Sequence, residues 1–426
     1  MICALYLVFR VLLHVALLLG WVPGGAEAWQ GEDLAINLEA AQRLVARQSL
    51  YTVGKMEFPE AYHYSPLYAL ACVPLTRLPF TATALLHSLM TCVAYLAFYL
   101  LWRRIFALWG LSRASASLAS LLPLWLIYSA FLGDLSFLNI YTLLCVLATL
   151  LIYAIVVEHL PLAVLVAFLI LQAKPQWAFA LALPLVLGRY RFFWRLIAWT
   201  LLAYLGAAGL TSALLGWDYG LSQYRDYYSF LTGMTSNFPW RGPDVSLGYN
   251  HSLMQIAYHF FGIRPAVRLT VLALKVALLL PLAWFCLRLM TRRSPQSSGD
   301  RELALEGAWA LYLGAFLWLD VLWEITLAIA LYTYLLAYLE SRPARILISV
   351  PFVAYALQDV WLVAMYAIST DMLAPSYFWA DPTTHIPIIM ILLLTLYVVL
   401  LARLARRRDH LETSEPTAQS PQYGAC

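Results

Sequence analysis

Stretches of about twenty apolar residues, each long enough to cross a ~30 Å hydrocarbon layer as a helix rising 1.5 Å per residue, recur along this chain. The clearest is residues 81–101, which ends in Trp102-Arg103-Arg104. Comparable runs lie at residues 2–20, 115–132, 136–156, 161–174, 176–188, 196–215, 266–290, 304–319, 321–339, 346–368 and 386–403. They predict an all-α polytopic membrane protein with about 12 spans. The two runs flanking Lys174-Pro175 are short, so tilted or re-entrant helices would bring the count to 10–12. Composition agrees: 63% hydrophobic and 12% charged residues do not describe a soluble globular protein of 426 residues.

Arginine placement gives the orientation, because cytoplasmic ends of spans collect positive charge. Arg103, Arg104 and Arg113, then Arg189, Arg191 and Arg195, then Arg288, Arg292, Arg293 and Arg301, then Arg342 and Arg345, then Arg403 and Arg406 to Arg408 mark alternate ends. Loops 24–80, 216–265 and 369–385 are therefore expected outside. Residues 1–405 read as one membrane domain and 406–426 as a disordered cytoplasmic tail. The motif Ala26-Glu27-Ala28 imitates a signal-peptidase site after the first apolar run, although Arg10 lies where the apolar core of a signal would begin. Cleaved or retained, that run leaves Trp29 onward outside.

A net charge of +4, with the basic residues explained by topology, gives no reason to expect a nucleic-acid partner. Cys3, Cys72, Cys92, Cys145, Cys286 and Cys426 show no paired spacing, so neither a disulfide framework nor a metal site is expected.

The chemistry is expected in the first outer loop. Residues 34–46 mix apolar and polar side chains as an interfacial amphipathic helix would. Asp33, near its start, would be held ionised by the helix dipole, as a general base requires. The alternative role is a plain helix N-cap. Lys174, beside Pro175 and between apolar segments, and Lys275, about ten residues into its own run, are ionisable groups where charge is expensive. Each could hold a phosphate, as could Arg225 and Arg264, among outer cations that also include Arg77, Arg241 and Arg268. Snorkelling to the interface is the other explanation for Lys174. Tyr62, His63, Tyr64, Gln176, Asn250 and His251 are candidates for contact with an acceptor or a sugar. A histidine among aromatic residues can equally be a satisfied structural donor.

Gly31-x-Asp33-Leu34, Ala40-Ala41, Leu50-Tyr51, Tyr62-His63-Tyr64-Ser65-Pro66-Leu67, Pro74-Leu75 and Leu78-Pro79 occur in that order. Gly133-Asp134, Ala173-Lys174-Pro175-Gln176 and Tyr249-Asn250-His251-Ser252-Leu253 follow. Together they resemble bacterial polyprenol-phosphate-sugar-dependent glycosyltransferases of the C-type membrane fold, in the branch of the phosphatidylinositol mannoside mannosyltransferases. The resemblance implies transfer of a hexose, mannose in that branch, from a polyprenyl-phosphate sugar to a hydroxyl of a glycolipid or glycan. It implies an active site on the outer face of a bacterial inner membrane, Asp33 as the base, and no cofactor or metal. Gly133-Asp134 departs from the family pattern, so no role passes to Asp134. The competing classes are a lipid or solute transporter or flippase, whose path Lys275, Glu324 and Asp359 would line, and a ligase using a polyprenyl-pyrophosphate glycan. Asp320 and Glu324 beside Trp323, and Asp359, form acidic features that the resemblance does not explain.

Overall fold

The computed structural model describes residues 1–22, 31–51, 62–291, 298–368 and 384–413. The possible cleavage motif at 26–28, most of the loop 369–385 and residues 414–426 of the expected tail lie outside them. The described backbone is helical: α1 (Ile2–Leu18), α2 (Glu32–Val45), α3 (Pro66–Cys72), α4 (Phe80–Leu108), α5 (Ser112–Ser120), α6 (Leu122–Leu126), α7 (Ser129–Phe137), α8 (Tyr141–Val156), α9 (Leu160–Ala173) and α10 (Leu183–Val186) come first. Then follow α11 (Tyr190–Leu215), α12 (Trp217–Asn237), α13 (Leu253–Phe261), α14 (Pro265–Thr291), α15 (Ser298–Trp318), α16 (Ala328–Tyr338), α17 (Arg342–Ala356), α18 (Gln358–Ile368) and α19 (Ile388–Thr413). Short 3₁₀ helices occupy Val73–Arg77 and Pro175–Ala182.

Five stretches are long and apolar enough to cross a membrane: Phe80–Leu108, Tyr190–Leu215, Pro265–Met290, Arg342–Met365 and Ile388–Arg406. A sixth is a helix pair, Ser112–Ser120 and Leu122–Phe137, bent by 55° where a straight span over 115–132 was expected. The chain is a polytopic membrane protein. Other expected spans are shorter or interrupted, and Pro175 shows why. Lys174, immediately before it, takes φ −131° and ψ 95°, an extended conformation imposed by the proline ring, and α9 ends there. Similarly, the run 321–339 becomes an irregular segment leading into the 11-residue α16.

Packing joins these pieces into one body. Helix α8 lies against α4 and α9, α9 against α11, α15 against α19 and the Pro175–Ala182 turn, and α2 against α3. Helix α2 differs from expectation in its burial. Leu34, Ile36, Asn37, Leu38, Ala40, Ala41 and Leu44 are all buried, so its apolar stripe faces protein. Its apolar positions recur at i, i+4 and i+7, which suits a protein face as well as a lipid one.

The first helix is built into this body. His14 Nε2 lies 2.8 Å from Ser88 Oγ on α4, and Arg10 Nε donates to both oxygens of Asp359 at 3.1 Å. Tyr6 adds a 2.7 Å bond to the same carboxylate, which gives Asp359 a structural employment. Arg10 and Asp359 are each 7% exposed, so removing one partner strands a buried charge. Arg10→Met should lower stability by roughly 3–5 kcal/mol, and Arg10→Met with Asp359→Leu should recover most of it. Thermal unfolding in detergent checks this; an unchanged midpoint in the single variant would show that the pair contributes nothing.

Candidate active site

Asp33 is placed by a left-handed turn that favours glycine. Gly31 caps α2 at φ +80°, and its N–H donates to Ser136 O at 3.0 Å. A Cβ at Gly31 would lie 2.9 Å from Leu138 Cδ1 and 3.0 Å from Phe80 Cζ. Leu138 itself adopts φ 51°, which ends α7 and turns Asn139 toward α2. Asn139 Nδ2 then donates to Asp33 Oδ2 at 2.7 Å. The orientation of that amide is fixed, because Asn139 Oδ1 accepts the Ile140 N–H at 2.7 Å and the Tyr64 hydroxyl at 3.4 Å. Asp33 makes no capping bond, so the N-cap alternative is not its role.

The charge state of this corner follows from burial and neighbours. Burial raises the Asp33 carboxyl above its ordinary value, while the Lys174 charge and the Asn139 hydrogen bond pull it back down. Glu32 is pushed up to about 7 by burial and by the adjacent Asp33. His63 goes the other way, to about 3, through burial and then Lys174, so its imidazole is neutral at physiological pH.

Lys174 stands at the centre. It is 6% exposed, and its Nζ lies 3.8 Å from the Tyr141 ring centroid, 5.6 Å from that of Tyr64 and 5.9 Å from that of Trp323. Among the described residues the ammonium has no hydrogen-bond or ion-pair partner. Aromatic faces hold a cation without satisfying its N–H donors. A buried cation with open donors is suited to an anion. Ser65 anchors the facing strand of chain: its N–H donates to Gln172 O at 3.1 Å and its hydroxyl to Gln172 Oε1 at 2.7 Å. Gln172 Nε2 is buried without a partner two residues before Lys174, a second open donor.

The other expected site residues divide by employment. Tyr62 and Tyr64 are 2% and 3% exposed; Tyr62 donates to Ser65 O at 2.9 Å, and Tyr64 stacks on Tyr68 at 4.5 Å. Tyr64 forms part of the wall around Lys174, and Tyr62 packs behind it. His63 is half-buried, edge-on to Phe230 and Trp323 at 5.4 and 5.9 Å. Gln176 is exposed. Lys275 donates to Asp320 Oδ1, to Trp318 O at 2.8 Å and to Leu319 O at 3.3 Å, so its ammonium finishes the C-terminus of α15. Asn250 bridges Asp320 O and the Leu322 N–H, both at 2.9 Å. His251 is buried, with Nδ1 accepting the Ile389 N–H at 3.3 Å. Arg225 and Arg264 are exposed and bond none of these groups among the described residues.

Sequence reasoning missed Asn139, Gln172 and the convergence of Trp323 and Glu324 on Lys174. Asn139 had a local signal, a lone amide at the break between two apolar helices. Asp134, to which no role was passed, caps α8: its carboxylate accepts the Tyr141 and Thr142 N–H groups at 3.0 and 2.8 Å.

The profile of glycosyltransferase family 87 matches residues 62–305, which hold His63, Asn139, Gln172 and Lys174 but neither Asp33 nor Glu324. No curated relative matches the chain. No solved structure matches it either. The matched region exceeds half of the 426 residues and bears out the resemblance to C-type membrane glycosyltransferases that depend on polyprenol phosphate: the chain belongs to glycosyltransferase family 87.

Proposed function

We propose that this glycosyltransferase moves a hexose, mannose by family resemblance, from a polyprenyl-phosphate donor to a hydroxyl of a glycolipid or glycan on the outer face of the membrane. The observation that carries the reading is Lys174: a buried, aromatic-walled ammonium with open donors, in the electrostatic range of Asp33. In the step proposed, Asp33 takes the proton of the acceptor hydroxyl as its oxygen bonds to C1 of the sugar. The C1–O bond to phosphate breaks, and the electron pair leaves with polyprenyl phosphate. Phosphate departs as an anion and needs no acid, so one carboxylate suffices where a glycoside hydrolase needs two. Lys174 offsets the charge that gathers on the leaving phosphate. Asn139 holds Asp33 Oδ2 and favours its ionised form, against the rise that burial imposes.

Arginine placement supports the outward orientation. In this reading α8, α9 and the Pro175–Val186 region are tilted or broken crossings that complete a C-type architecture of 10–12 passes. Purified protein given radiolabelled polyprenyl-phosphate hexoses and a lipid-extract acceptor should move label to the acceptor and release polyprenyl phosphate. Label crossing vesicles without transfer would replace this reading with a transporter. Transfer only from a polyprenyl-pyrophosphate glycan would replace it with a ligase.

A further inference from the structure

The irregular segment joining α15 to α16 is pinned from several sides. Asn250 and Lys275 hold residues 318–322, as described above, and the His251 N–H donates to Leu322 O at 2.8 Å. The Tyr355 hydroxyl donates to Glu324 Oε2 at 2.5 Å. On the other side the carboxylate lies against α7 at Gly133, where a Cβ would be in ordinary contact, 3.8 Å from Glu324 Oε1. Leu322 and Ile325 are buried while Trp323 and Glu324 between them are only half-buried. Those two side chains meet the Lys174 region: Trp323 forms one wall of the aromatic cage and touches His63 edge-on, and the Glu324 charge acts on the Lys174 ammonium. Asp33 acts on the same ammonium, as does Asp134, whose oxygens already accept the Tyr141 and Thr142 N–H groups.

We propose that Trp323 and Glu324 form the subsite for the transferred hexose, Trp323 stacking against the C–H face of the ring and Glu324 accepting hydrogen bonds from its hydroxyls. The proposal rests on the reading of Lys174 as the phosphate-binding cation. A hexose is one ester linkage from its phosphate, so phosphate at Lys174 brings the sugar to the groups beside the ammonium. Asp33 is committed to the acceptor, which leaves Trp323, Glu324 and neutral His63 to meet the sugar. An ionised carboxylate has about four acceptor sites and can serve sugar hydroxyls while it accepts from Tyr355. An aromatic face beside a carboxylate supplies what a sugar presents, an apolar face and a rim of hydroxyl donors.

The test compares the full-length enzyme's use of polyprenyl-phosphate mannose with its inhibition by polyprenyl phosphate, which carries no sugar. Glu324→Gln should lower donor kcat/KM roughly 10- to 100-fold, the value of a charge-assisted hydrogen bond, and leave the inhibition constant unchanged or lowered, because it also removes a negative charge from beside Lys174. Its selectivity between mannose and glucose donors should fall as well. Trp323→Leu should raise the donor KM by a larger factor than it raises the inhibition constant, and it carries the test if Glu324→Gln does not fold. Equal losses in donor use and in inhibition, or no loss in either, would overturn the subsite. Disappearance of the acid limb of the pH–rate profile in Glu324→Gln would overturn it too, by making Glu324 the base. Failure of the underlying reading shows separately, as an inhibition constant that Lys174→Met leaves unchanged.

Discussion

Asp33→Asn should reduce transfer by about 10²- to 10⁴-fold, the usual cost of losing a positioned general base. The substitution is close to isosteric, and because Gly31 caps α2, no cap is lost with it. Its structural cost lies in two contacts: Asn139, whose Nδ2 would then face either the new carbonyl oxygen or the new amide, and Lys174, which loses a facing charge. Thermal stability should therefore change little while activity collapses. Since burial raises the Asp33 carboxyl, the wild-type enzyme should lose kcat/KM as pH falls through a value above the ordinary carboxylate range. Protonation removes the base, so the loss lies on the acid side. Glu32→Gln is the control: Glu32 precedes Asp33 in the first turn of α2 and has no hydrogen bond to Asn139. Removing the Glu32 charge relieves its repulsion of Asp33, so any shift of the acid limb should be toward lower pH. An active Asp33→Asn enzyme beside an inactive Glu32→Gln enzyme would move the base by one residue. If both stay active, no carboxylate of this turn is the base.

Much of this molecule is legible in its sequence wherever the governing forces are local. The apolar runs, the break at Lys174-Pro175 and the helix after Gly31 each follow from a few neighbouring residues. Serine caps are equally local: Ser65 and Ser252 each accept a backbone N–H from three residues on. Long-range pairing is what the sequence hides. Lys275 looks like an orphan cation until α15 brings Asp320 to it, and Asp359 looks like an unexplained acid until α1 supplies Arg10. Tyr62 and Tyr64 carry the polar handles expected of sugar ligands, yet the packing of tilted aromatic rings beside Tyr51 buries them. The span expected over 115–132 is present as a bent pair of helices. Hydropathy measures whether a segment prefers lipid or protein to water, and does not report the 55° bend between Ser120 and Leu122. Asn139 escaped because its function is to orient a residue more than a hundred positions away.

Lys174→Met should separate binding from stability in a way that distinguishes a phosphate site from a structural anchor. An ammonium buried against Tyr141 has given up hydration without gaining a hydrogen-bond partner among the described residues, which costs the fold free energy. Methionine has similar length, keeps contact with the aromatic rings and removes that cost. The variant should be as stable as the wild type or more so. Donor turnover should fall by roughly 10²- to 10³-fold, the scale seen when a preorganised donor to developing negative charge is deleted. Inhibition by polyprenyl phosphate should weaken as well, because the product presents the same anion. The pH profile supplies an independent sign. Lys174 lowers the Asp33 carboxyl, so its removal should carry the acid limb to higher pH. An enzyme that loses activity and thermal stability together, with no movement of the limb, would make Lys174 a packing residue held by its three rings; loss of turnover at full stability, with the limb displaced upward, follows only if this cation serves the phosphate and steadies the base.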